Sequence, residues 1–223
     1  MTKVIFVRHG EAEGNIERNF HGHYNSNLTE NGRAQIKLTA KRLKDEKIDV
    51  IYSSDLNRTY ETALAIAEGR NLSIVKNEKL REINGGKWED VPWDELPSLF
   101  PESYDYWLRD PQKLVMPSGE SMVDFQNRVL SAVLDIVKLH KNSNILIATH
   151  GTVIKVLLCK YKNKTLSDLP NLAWHDNASI TIVEFDDDFN PNVVLEGDNE
   201  HLGDLSTIAK QSWWRKELVE GKR

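Results

Sequence analysis

Two apolar runs in this chain end alike. Residues 4–10 read VIFVRHG and residues 145–151 read ILIATHG, so His9 and His150, each followed by glycine, close predicted β-strands. A neutral imidazole carries a nucleophilic nitrogen, and a neighbouring cation disfavours the imidazolium form that would consume its lone pair. Arg8 directly precedes His9. Adjacent cationic groups at the end of a buried strand make sense if an anion sits there. A third passage, VIYSSDLNRTYETA (50–63), places Arg58 in the first turn of a predicted helix with Asp55 as its expected N-cap. A guanidinium there opposes the helix dipole unless an anion offsets it. Arg8, Arg58, His9, His150 and the amide of Asn15 form a donor set suited to phosphate, whose oxygens guanidinium groups bind in pairs. No GxxxxGK[ST] loop occurs, so side chains must form the cradle.

The elements that must position these groups alternate. Strand-like runs rich in β-branched residues lie at 3–8, 49–53, 72–76, 144–149, 179–185 and 192–196. Helical patterns lie at 29–45, after the N-cap Thr29, and at 55–68, with Leu56, Ala63, Leu64 and Ala67 on one face. Another lies at 120–140, with Phe125, Val129, Ala132, Ile136 and Leu139 at helical spacing. This predicts an α/β fold, a three-layer sandwich with a mainly parallel central sheet flanked by helices. Parallel strands deliver their carboxyl ends to one edge, so His9 and His150 are expected to meet, with Gly10 and Gly151 permitting close backbone approach. The last two strands read as a hairpin joined by DDDFNPN. Residues 88–117 break the pattern. They hold five of the seven prolines together with Trp88, Trp93, Phe100, Tyr104, Tyr106 and Trp107, and read as an irregular, cap-like insertion beside the site. A satellite core beneath a long loop is an equal reading, and the two are compatible. Without a low-complexity linker or long repeat, residues 1–223 are expected to form a single domain.

Composition limits the partners. With 39% apolar and 28% charged residues the chain is that of a globular protein, and a net charge of −5 argues against a general nucleic-acid or membrane-surface binder. The lone Cys159, in VIKVLLCKY, excludes an internal disulfide framework and reads as a buried apolar residue. No signal peptide precedes the first strand and no apolar run approaches the ~18 residues of a membrane span, so a cytoplasmic location is expected. The tail SWWRKEL (212–218) is amphipathic and suits packing on the body or on a neighbouring subunit, which leaves a homo-oligomer open.

An ordered set of motifs carries a resemblance. RHGEAEGN (8–15), GHYNSNLTENGRAQ (22–35), SSDLNRTYETA (53–63), LREINGGKWED (80–90), PSGES (117–121), ATHGTVIK (148–155) and NASI (177–180) resemble the histidine phosphatase superfamily, which contains phosphoglycerate mutases and related phosphatases. The resemblance implies that His9 becomes phosphohistidine and that Arg8, Arg58 and His150 hold the transferring phosphoryl group. Glu82 is then the general acid and base. Asn15, His21, Gly22 and Gly151 become substrate-side contacts, and Glu11 a supporting group. It implies no metal and no cofactor, with a small phosphorylated metabolite as the partner. His21-x-His23 lacks a third ligand, and DDDFNPNVVLEG has proline and glycine where a calcium loop requires glycine and glutamate. Ala12 stands where the family often has Ser or Thr, and Gly14 where it often has Trp. Trp88 after Gly86-Lys87 resembles the phosphatase branch. The expectation is therefore a metal-independent phosphomonoesterase, with a phosphoglycerate-type mutase as the alternative.

Overall fold

A computed structural model of the protein describes residues 1–207, so SWWRKEL lies outside the described residues. The sheet is built from β1 (Thr2–Arg8), β2 (Val50–Ser53), β3 (Ile74–Lys76), β4 (Asn144–Thr149), β5 (Ile180–Phe185) and β6 (Pro191–Asp198). Its spatial order is β3-β2-β4-β1-β5-β6. The pairs β3-β2, β2-β4 and β4-β1 are parallel, while β5 and β6 run antiparallel as the expected hairpin. The sheet is thus mixed and mostly parallel. Pro191, which has no N–H to donate, begins β6 at an outer edge, where its missing hydrogen bond is tolerated.

The helices are α1 (Glu13–Glu17), α2 (Glu30–Arg42), α3 (Asn57–Ala67), α4 (Leu96–Leu99), α5 (Pro101–Arg109), α6 (Met122–Leu139) and α7 (Gly151–Tyr161). Alternate residues of the strands feed two cores. Val4, Phe6, Ile145 and Ile147 pack with Phe125, Val129 and Val133 of α6 and Val153 of α7. Ile5, Val7, Leu146 and Ala148 pack on the other face with Ala63 and Ile66 of α3. Burial on both faces explains why β1 and β4 read as unbroken apolar runs. No helix among the described residues is long and apolar enough to cross a membrane.

Local rules account for most boundaries. Thr29 caps α2 by accepting from Gly32 N–H, and Ser121 caps α6 by accepting from Asp124 N–H. Three expectations are corrected. Asp55 does not cap α3, whose N-cap is Leu56; its carboxylate pairs with Arg81 instead. Leu64 and Leu139 leave the apolar faces assigned to them and are 46% and 72% exposed. Residues 88–117 are less irregular than expected, because α4 and α5 form within them. Pro97 and Pro101 fall in first turns, where a missing N–H costs nothing.

The aromatic residues of that segment form a cluster on the larger core. Trp88 is fully buried, 5.5 Å from Phe20 and 5.9 Å from Trp107 between ring centroids. Trp88→Ala is expected to cost about 3–5 kcal/mol, because the neighbouring rings cannot collapse into the space left behind. Chemical denaturation measures this. Trp88→Phe should cost much less, since it also removes a buried indole N–H that lacks a partner among the described residues.

Candidate active site

The sheet register brings the two histidines together. Arg8 of β1 lies opposite Thr149 of β4, so His9 and His150 are the next residues of neighbouring parallel strands. Their ring centroids are 5.4 Å apart at an interplanar angle of 63°. The His9 amide donates to Thr149 O at 2.9 Å and extends the pairing. A Cβ on Gly10 would stand 2.7 Å from the Gly32 carbonyl oxygen, so this turn requires glycine; on Gly151 nothing would lie nearer than 3.2 Å. The third strand end joins them, because Ser54 N–H donates to Ala148 O and leads into α3 with Arg58 in its first turn.

Hydrogen bonding fixes the His9 tautomer. Nδ1 lies 2.7 Å from the Gly10 carbonyl oxygen, which only accepts, so Nδ1 bears the hydrogen and Nε2 keeps its lone pair. Burial, then the charges of Arg58 and Arg8, hold the His9 pKa well below the ordinary imidazole value. His150 is held low by burial and by Arg58. Its Nε2 pairs with Ser54 Oγ at 3.0 Å, and Ser54 Oγ already accepts from Leu56 N–H. A hydroxyl oxygen has two lone pairs and one hydrogen, so Ser54 Oγ can pair with either tautomer of the His150 ring. The Nδ1 of His150 and the Nε of Arg8 are both buried with no hydrogen-bond partner among the described residues. Two unpaired buried nitrogens around His9, one of them a guanidinium N–H, are what an anion site looks like.

Both arginines are partly anchored. Arg8 donates from Nη1 to the His175 carbonyl. Arg58 donates from Nη1 to Tyr24 O and from Nη2 to Gly22 O, both at 2.8 Å. The loop carrying those carbonyls is itself organised by Glu89, which accepts from the amides of Gly22, His23, Tyr24 and Gly85. Burial lowers the Arg58 pKa to about 10, partly offset by Glu82 and Glu89, so the guanidinium stays charged at neutral pH.

Glu82 is held from several sides. Its oxygens accept from Ile83 N–H and Thr152 N–H at 2.9 Å each. Its carbonyl accepts from Arg128 of α6, and the Asp55–Arg81 pair fixes the preceding residue. Burial raises the Glu82 pKa against the opposing pull of those amides and Arg58. The carboxyl is thus biased toward holding a proton beside a cationic pocket.

A cavity of about 90 Å³ collects these groups, with Arg8, His9, Asn15, Arg58, Glu82 and Gly151 on its wall. His150 is fully buried with its ring packed edge-on to His9, and Gly22 lies off the wall, reaching the site through its carbonyl on Arg58. His21 lines the cavity with its Nε2 on Asp90 at 3.2 Å. His23 is turned away, with Nε2 at 3.0 Å from the Glu82 carbonyl oxygen. Ligand atoms of Glu17, His21 and Asp90 lie within 4.8 Å of one another, but a hydrogen bond accounts for the His21–Asp90 pair. A Cβ on Gly14 would fall 2.1 Å from the His21 ring, so tryptophan at this position is incompatible with the ring's placement. Glu11 accepts from Thr29 Oγ1 and Asn31 Nδ2 and supports the turn after His9.

Sequence reasoning missed several neighbours. Asn177 donates to the His9 carbonyl and to Asn15 Oδ1, which orients the Asn15 amide. Arg18, Trp93, Trp107, Thr152 and Trp174 also line the cavity. Asn177 and Thr152 had a signal in the quoted motifs NASI and ATHGTVIK, and Trp93 and Trp107 in the aromatic segment expected beside the site, whereas Arg18 and Trp174 had none.

Comparison with known proteins agrees with this geometry. The chain is 35% identical over 213 residues to a protein named phosphoserine phosphatase 1 from Hydrogenobacter thermophilus, covering 95% of this chain and all of that one. It is also 35% identical over 210 residues to the probable phosphoglycerate mutase GpmB of Yersinia pestis, covering 91% and 95%. Among solved structures, YhfR from Bacillus stearothermophilus superposes with a TM-score of 0.87 at 36% identity, covering 91% of this chain and all of that one. Residues 4–198 match the profile of the histidine phosphatase superfamily (branch 1), and the chain belongs to that family.

Proposed function

We propose that this protein hydrolyses phosphomonoesters of small molecules through a phosphohistidine at His9. The observation carrying the reading is the His9 ring itself: Nδ1 is tied to the Gly10 carbonyl, and Nε2, within the field of Arg58 and Arg8, has no hydrogen-bond partner among the described residues. Nε2 attacks phosphorus, the P–O bond to the leaving group breaks, and protonated Glu82 gives its proton to the departing oxygen. Glu82, now a carboxylate, takes a proton from water as the water oxygen attacks the phosphohistidine. The P–N bond breaks, its electron pair returns to Nε2, and inorganic phosphate leaves. Arg8 and Arg58 neutralise charge on the equatorial oxygens in both steps, with His150 beside them as a further polar contact.

Arg58→Ala is expected to lower kcat/KM about a hundredfold or more, the size of losing one charge-assisted donor, ~3 kcal/mol. Arg58→Lys should restore little, because one ammonium cannot both hold the 22–24 carbonyls and reach phosphate. Initial rates of phosphate release measure both.

The phosphoserine phosphatase name of a relative makes phosphoserine a first substrate to test. The mutase reading has the similarity to GpmB in its favour. Against it, Ala12 lines the pocket without the hydroxyl that a Ser or Thr would supply there. Incubation with 3-phosphoglycerate and its bisphosphate primer separates the two. Free phosphate without 2-phosphoglycerate is expected, and stoichiometric 2-phosphoglycerate would overturn hydrolysis.

A further inference from the structure

A second cavity, of about 340 Å³, adjoins the first and shares Arg18, Trp93, Trp107, Thr152 and Trp174 with it. Its wall is mostly apolar, including Pro97, Tyr104, Leu108 and Met122. Three charged residues line it: Arg18, Asp94 and Lys155. Lys155 is the anomaly. It belongs to α7, only 6% exposed, yet its ammonium has no hydrogen bond or ion pair among the described residues. Its one close partner is the Trp174 ring, with Nζ 4.1 Å from the centroid. Lysine is almost never buried without a counter-charge. Burial brings the Lys155 pKa down to about 7, the usual sign of an ammonium lacking solvation.

Thr152 and Lys155 are three residues apart on α7, hence on one helix face and roughly 4.5 Å apart along the axis. Thr152 holds Glu82 through its amide, so Lys155 stands one turn beyond the group that faces the leaving oxygen. Trp93, Trp107 and Trp174 line both cavities, Glu82 the first and Lys155 the second, so a leaving group that starts beside Glu82 and passes these rings enters the space that Lys155 lines.

We propose that Lys155 is a specificity-determining residue that selects phosphomonoesters whose leaving group is an aromatic or apolar body ending in a compact anion such as carboxylate. The inference rests on the phosphatase reading and names the substrate class of that site. Trp174 packs against the lysine and positions its ammonium. A lysine whose stem merely covers apolar surface would have no preference between a charged and an uncharged body of the same shape.

The test compares 4-(carboxymethyl)phenyl phosphate with its carboxamide, 4-(carbamoylmethyl)phenyl phosphate, a pair matched in shape and close in leaving-group basicity. In the wild type the kcat/KM ratio should favour the carboxylate by about tenfold or more, as expected of a hydrogen bond between charged groups. In Lys155→Met, and in Lys155→Gln as a second variant, the ratio should fall to near one. Because each ratio is taken within one enzyme, loss of folded protein cancels. A wild-type ratio of one, or a ratio that the substitutions leave unchanged, overturns the proposal. Release of phosphate from neither ester would instead count against the phosphatase reading. The Lys155 assignment is then decided by calorimetry with 4-(carboxymethyl)benzylphosphonate and its carboxamide. Tighter binding of the carboxylate to wild type alone supports it, and equal affinities refute it.

Discussion

His9→Ala is expected to abolish phosphoenzyme formation and to lower kcat/KM by about 10⁵-fold or more, the scale on which removing a covalent nucleophile acts. No neighbour can substitute. His150 is the nearest imidazole, but it is fully buried and its Nε2 is engaged by Ser54. The readout is a wild-type protein that takes up label from a phosphate donor in a form labile to acid and stable to alkali, as a phosphoramidate is. The variant should take up none. Retained burst labelling in His9→Ala would move the nucleophile elsewhere. Acid-stable, alkali-labile label would point to a carboxylate or hydroxyl. The low pKa of His9 adds a second expectation. A nucleophile protonated only well below the usual imidazole range stays competent as the solution becomes mildly acidic. The acid limb of kcat/KM should therefore lie below the ordinary histidine titration.

The central sheet was legible because its physics is local. β1 and β4 are buried on both faces, so their sequences are continuous apolar runs, and their carboxyl ends had to share an edge once the pairing was parallel. The meeting of His9 and His150 follows from that register. The expected Asp55 cap failed because a side chain that can satisfy a helix N-terminus can equally pair with a distant cation, and Arg81 is 26 residues away. The helices within 88–117 were obscured by proline. The same proline that breaks a helix interior is neutral in a first turn, and only the backbone decides which it is.

Within the site, residues with unusual chemistry were easier to find than those that hold them. Arg58 was legible as a cation at the wrong end of a helix. Its anchors were not, since they are backbone carbonyls of residues 22 and 24, gathered by the four amides on Glu89. Nothing about one glutamate among 34 acidic residues announces that role. Lys155 was hidden for the opposite reason. In VIKVLLCKY it is one lysine among apolar residues, and that it is buried against the Trp174 ring shows only in the fold.

Glu82→Gln should separate the two halves of the reaction. Glutamine keeps the shape of the protonated acid but can neither give nor take the proton. With an alkyl phosphate such as phosphoserine, whose leaving oxygen needs protonation, kcat/KM should drop by about 10³-fold, within the usual range for general acid catalysis. With p-nitrophenyl phosphate the leaving group departs without help. There kcat/KM, which reports steps up to phosphohistidine formation, should stay within about tenfold of wild type. Its kcat should fall further, because water attack on the phosphohistidine has lost its base, and a burst of nitrophenol should appear. The pH profile gives an independent check. Burial raises the Glu82 pKa, and the acid form is the active one in the first step, so kcat/KM for an alkyl ester declines as pH rises through that raised value. The variant should lose this basic limb while keeping the acid limb set by His9. One structural cost must be separated from the chemistry. Both Glu82 oxygens accept backbone amides, and an NH₂ in place of one oxygen leaves either Ile83 or Thr152 unpaired, at about 1–3 kcal/mol of stability. A folded variant equally impaired on both esters would show that Glu82 acts by holding Thr152 and the start of α7 in place, and would remove it from the proton transfer.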